Sequence, residues 1–183
     1  MRSIIPFDQN PALREVAQEI PVADISTPFI HTLIDDMKKL LAVEQHGVAI
    51  AASQVGEPLS LFIVSGRALS ERAKEEDESA PPLADQIYIN PKLMKTSRGS
   101  KEKHEGCLSI RGKWGMVPRF QKATVQAYDE TGKLFTRGAS GFLAHIFQHE
   151  MDHLGGILYT DKTTKLYDDK PEDGYNEAHE DAA

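Results

Sequence analysis

Ser140-Gly141-Phe142-Leu143-Ala144-His145-Ile146-Phe147-Gln148-His149-Glu150-Met151-Asp152-His153-Leu154-Gly155 is the stretch from which the rest of the chain is read. Ser140 is a good N-cap and Gly155 a good stop. Between them Phe142, Leu143, Ile146 and Phe147 make an apolar face at helical spacing. The second half holds His-Glu-x-x-His. On a helix, His149 and His153 share one face, with Cβ atoms about 5–6 Å apart. Both imidazoles can reach one metal ion, and Glu150 then stands beside the ion's open position. Such a centre polarises a carbonyl and lowers the pKa of a bound water, whose proton the glutamate can accept. The same residues also fit an amphipathic helix with two chance histidines, so the pattern needs support from elsewhere.

A metal held by two imidazoles needs another protein ligand. The single cysteine, Cys107, lies in Glu105-Gly106-Cys107-Leu108-Ser109. A lone cysteine is usually a small buried hydrophobe, but Gly106 permits close backbone approach, and Glu105 and Ser109 are polar on both sides. Cys107, His149 and His153 together leave one position free, which is catalytic rather than structural coordination. A third segment, Gly47-Val48-Ala49-Ile50-Ala51-Ala52-Ser53-Gln54, reads alone as a buried strand or turn ending in an amide.

Taken in order, the three segments resemble the motifs of the peptide deformylases: Gly-x-Gly-x-Ala-Ala-x-Gln, Glu-Gly-Cys-Leu-Ser and Gln-His-Glu-x-Asp-His-Leu. The second and third are matched letter for letter. The first departs at Ala49, where the family usually has glycine. The resemblance runs over roughly residues 5 to 162 and takes in Ile89-Asn90-Pro91, Val117-Pro118-Arg119 and Asp129-x-x-Gly132. It implies removal of the N-formyl group from new polypeptides that begin with formyl-methionine, with release of formate. It implies Cys107, His149 and His153 as metal ligands and Glu150 as base. The Gln54 amide and the Leu108 backbone N–H would face the oxyanion. Gly47, Val48, Ala49, Ile50, Glu105, Gly106, His145 and Ile146 would border the substrate, with Ile50, His145 and Ile146 near the methionine side chain. His145 is a departure, since arginine or an apolar residue is common there. Glu105 and Arg119 resemble a family ion pair. Fe²⁺ is the expected ion. Zn²⁺, Ni²⁺ and Co²⁺ are alternatives, because this donor set does not choose among them.

Two rival readings stay open. Zinc endopeptidases are the commonest owners of His-Glu-x-x-His, but their third ligand usually lies downstream. A metal-dependent binding module on the same fold would have no need of Glu150.

Length and composition set the frame. With 183 residues and 40% hydrophobic content the chain can form one domain with a proper core. One cysteine excludes an intrachain disulfide and fits a reducing compartment. No apolar run approaches the ~20 residues of a membrane helix, and Met1–Pro6 shows no leader pattern, so a cytoplasmic protein without membrane partners is expected. Net charge is −7, of which residues 168–183 carry seven acids against Lys170. A nearly neutral body with an acidic tail predicts no nucleic-acid binding and no docking of the tail on the ribosome.

The periodicity predicts a short helix from Asn10-Pro11 to about Ala17, and a longer one capped at Ser26 or Thr27 and ending near His46-Gly47. Strands are predicted at 61–64 and 87–89, with a hairpin at 124–128 and 133–136. Residues 66–86 read as a charged surface loop with at most one helical turn. The sum is a single α+β domain, antiparallel strands packed around a central metal-binding helix, over residues 1–165, followed by a disordered tail at 166–183.

Overall fold

Leu61-Phe62-Ile63-Val64 is a strand buried at every position, so it must be covered on both faces. The layers follow from that need. The computed structural model describes residues 2–168. In chain order its elements are α1 (Pro28–Val43), β1 (Ala49–Ala51), β2 (Leu61–Val64), α2 (Gly66–Glu76), β3 (Gln86–Thr96), β4 (Ser100–Cys107), β5 (Ile110–Phe120), β6 (Lys122–Tyr128), β7 (Leu134–Ser140), α3 (Gly141–Leu154), α4 (Tyr159–Lys162) and β8 (Lys165–Asp168). A five-stranded antiparallel sheet runs β1-β2-β3-β6-β7, and a three-stranded one runs β4-β5-β8.

Strand alternation sorts the core. Ile50, Leu61, Ile63, Ile87 and Ile89 pack toward Ile30, Leu33, Ile34, Met37 and Leu41 of α1. Ala49, Ala51, Phe62, Val64 and Tyr88 pack toward Ala144, Ile146 and Phe147 of α3. Phe62 stacks on Tyr88 at 4.6 Å, and Tyr88 meets Phe147 edge-on at 5.1 Å. α3 is clamped between the sheet and the β4–β5 ribbon, as the α+β expectation required.

Three expectations change. Residues 10–17 form no α-helix. Two 3₁₀ turns, Phe7–Gln9 and Pro11–Arg14, stand there instead, and Asn10 donates its side-chain amide to Ser53 O at 2.8 Å. The charged excursion contains the 11-residue α2. Ser65 caps it through Ala68 N–H at 3.3 Å, and Leu69 reaches the α3-side core. The break expected after Lys165 falls inside β8, which pairs with β5 from Lys113↔Asp168 to Met116↔Lys165. The acidic tail beyond it lies outside the described residues.

Candidate active site

Cys107 ends β4, and His149 and His153 sit on successive turns of α3. Their donor atoms lie within 4.8 Å of one another, and Cys107 Sγ is 3.4 Å from His153 Nε2. Metal–ligand bonds of 2.0–2.3 Å at tetrahedral angles put donor atoms about 3.3–3.8 Å apart, so the cluster is already near the size an ion requires. His149 donates Nδ1–H to Glu105 Oε2 at 2.8 Å. That bond fixes the tautomer and turns Nε2 toward the cluster. The two imidazoles cross edge to face, 4.9 Å between centroids.

Glu150 is buried, and its Oε2 has no partner among the described residues. A buried carboxylate oxygen without a protein donor is suited to a water beside the cluster. Burial pushes its carboxyl up to about 7, although the nearby His149 charge opposes this. Burial works against a charged His149 too, but its hydrogen bonds with Cys107 and Glu105 and the acidic charges around it hold its pKa well above the usual value. Burial and the His149 charge press His153 well below it.

Glu105 anchors the centre from behind. Arg119 grips it with Nε on Oε1 at 2.5 Å and Nη2 on Oε2 at 2.9 Å. Burial opposes its ionisation, but Arg119, His145 and His149 outweigh that and keep it well below the carboxylate range. Arg119 also reaches Asp152 at 2.6 Å, and Asp152 meets Lys162 at 2.5 Å. Asp152 stands in the quoted motif, but the sequence alone gives it no role. Gln148 ties α3 to β5 by exchanging bonds with Phe120 N and Phe120 O, both at 2.9 Å.

The oxyanion side is built from two turns. Gln54 Oε1 accepts from Ala51 N at 2.8 Å, and this directs Nε2 to Cys107 Sγ at 3.4 Å and Ser109 Oγ at 3.5 Å. Leu108 is half-buried in the turn between β4 and β5. Gly106 lies under the Trp114 ring, which a Cβ there would meet at 3.0 Å. The N-terminal segment straps both turns, with Ile5 N on Gln54 O at 2.9 Å and Phe7 N on Ser109 O at 3.0 Å.

β1 is an edge strand. Ser65 N–H donates to Val48 O at 2.8 Å, and Ala49 pairs with Val64. By antiparallel alternation Ile50 turns its backbone groups to β2, while those of Ala49 and Ala51 face the open edge. Gly47 is buried and Val48 half-buried at the start of this edge. Ile50 packs in the α1 layer and Ile146 in the α3 layer, both buried. The Ala49 methyl is likewise in the core. His145 bonds to Glu105 Oε1 at 2.6 Å.

Known proteins resemble this chain along most of its length. The polypeptide deformylase family model matches residues 1–169. Peptide deformylase 2 of Nostoc sp. is 38% identical over 176 residues, covering 95% of this chain and 94% of that protein. Chloroplastic peptide deformylase 1A of Solanum lycopersicum is 36% identical over 157 residues, 84% of this chain, and the match spans 56% of that longer protein. Among solved structures, a class I type b peptide deformylase from Acinetobacter baumannii bound to Met-Ala-Ser superposes with TM-score 0.75 at 27% identity, over 88% of this chain and 98% of that one. With three motifs converging on one buried cluster and a match along nearly its whole described length, the chain belongs to the peptide deformylase family, metal-dependent hydrolases that remove the N-formyl group from newly made polypeptides.

Proposed function

We propose that Cys107, His149 and His153 hold one divalent ion, Fe²⁺ in the cell, and that the centre deformylates nascent chains beginning with formyl-methionine in the cytoplasm. The observation that carries this is the set of donor atoms within 4.8 Å of one another beside the buried Glu150. When bound, the ion supplies a Lewis acid and lowers the pKa of water. Glu150 takes the proton of the attacking water and passes it to the leaving amine. Gln54 Nε2–H and the Leu108 backbone N–H stabilise negative charge developing on the formyl oxygen. The peptide lies along the open edge of β1, bonded to the main chain of Ala49, with Gly47, Val48 and Gly106 flanking it. The likeness to a relative that holds Met-Ala-Ser supports a peptide ligand of this kind. Ferrous iron with a thiolate ligand makes the centre oxygen-sensitive.

Anaerobic purification, metal analysis and a formate-release assay on formyl-Met-Ala-Ser test this reading. Iron bound near one per chain with rapid formate release is expected. Cleavage of casein without formate release would point to an endopeptidase instead, and bound metal with no turnover to a binding module.

A further inference from the structure

Glu105 receives four N–H groups. Oε1 accepts from Arg119 Nε at 2.5 Å and His145 Nε2 at 2.6 Å, and Oε2 from Arg119 Nη2 at 2.9 Å and His149 Nδ1 at 2.8 Å. The carboxylate is 3% exposed and Arg119 4%. Arg119 holds one side of the carboxylate plane as a two-pronged fork from β5. The remaining lone pair on each oxygen is taken by α3. His145 and His149 are four apart, so they reach the two oxygens from successive helical turns. α3 is already tied to β5 by Gln148 and Asp152, so what the His145 bond adds is local: it fixes the position and tilt of the carboxylate to which His149 Nδ1–H donates.

We propose that His145 is a positioning residue for the metal centre: by donating to Glu105 it steadies the carboxylate that orients the His149 imidazole. The proposal rests on the metal reading of Cys107, His149 and His153. Partners of metal-bound histidines commonly contribute 10–100-fold to metal affinity, and His145 acts one bond further out, at the lower end of that range. No apolar residue in its place could do this.

H145L removes the donor and keeps the bulk. H145Q places an amide N–H where Nε2 stood. Each protein is loaded with Co²⁺, and its affinity is read by chelator competition, with visible spectra and with kcat and KM on formyl-Met-Ala-Ser. H145L is expected to bind Co²⁺ about 10-fold more weakly, with an altered spectrum and a lower kcat at unchanged KM. H145Q is expected to recover most of each. If H145L does not fold, H145N, polar but too short to reach Oε1, carries the same expectation. Unchanged affinity and spectrum in the donor-less variant would overturn the proposal. A rise in KM alone would do the same and make His145 a pocket wall. Equal loss in H145Q would also overturn it, by assigning the effect to shape. Wild-type protein that binds no Co²⁺ would sink the metal reading itself, a separate failure.

Discussion

At the scale of single residues, Glu150 carries the sharpest expectations. Glu150→Gln keeps the shape and removes the proton acceptor, so metal should stay bound while formate release falls at least ~10²-fold; near-normal turnover would remove Glu150 from the mechanism. The same carboxyl sets a pH dependence in metal-free protein. Its folded pKa of about 7 lies above the ordinary 4.5. The folded state therefore holds this proton more tightly than the unfolded one. Stability from this group is fully present below pH 4.5 and is lost as pH rises through about 7. In EDTA, Glu150→Gln should gain up to about 3 kcal/mol relative to wild type between pH 4.5 and pH 8. Urea unfolding at several pH values checks this, and a constant difference would contradict the burial account. Residue identities at this centre were legible because ligand chemistry restricts letters and spacing together. Glu105 and Arg119 were legible as a pair. The Arg119–Asp152 ion pair and the His145 bond were not, since a contact between a strand and a helix far apart in sequence leaves no local period.

At the scale of elements, legibility followed hydrophobic patterning. β2, buried on both faces, and α3, with its apolar stripe and caps, stand where the pattern put them. α2 did not, because Ala68 and Leu69 are the only buried apolar side chains among its described residues and its anchors are polar. Gly66 N–H donates to Asp85 Oδ1 at 2.8 Å, and Leu83 N–H to Ser70 Oγ at 2.7 Å. Such closures are invisible to periodicity. β4 and β5 carry charged and polar residues along much of their length and were missed for the same reason. On β1, the unusual alanine bears on both packing and substrate. Its methyl lies with Val64 and Phe147 in the core, while its backbone faces the open edge. Ala49→Gly should therefore leave kcat/KM for formylated peptides within about twofold and lower stability by about 1–2 kcal/mol. Tighter binding of a peptidic hydroxamate to the glycine variant would instead show that the methyl narrows the groove.

At the scale of the whole molecule, both ends of the described chain bear on the site. The strap at Ile5 and Phe7 joins the Gln54 and Ser109 turns, and β8 pairs Tyr167 with Trp114, whose ring covers Gly106 beside Cys107. A chain cut after Asp168 keeps β8 and every residue assigned to the centre, and should retain formate release within about twofold. A cut after Thr164 removes β8 and should lower Tm by several degrees, with some loss of kcat. Equal behaviour of the two truncations would show that β8 does not support the Cys107 turn. The chain's one cysteine has a further use. Because Cys107 is both the sole thiol and a member of the ligand cluster, a thiol-reactive dye has a single address on this molecule. Dye uptake per chain then counts the fraction of empty centres directly, and the protein serves as its own occupancy gauge for any metal or inhibitor that shields that sulfur.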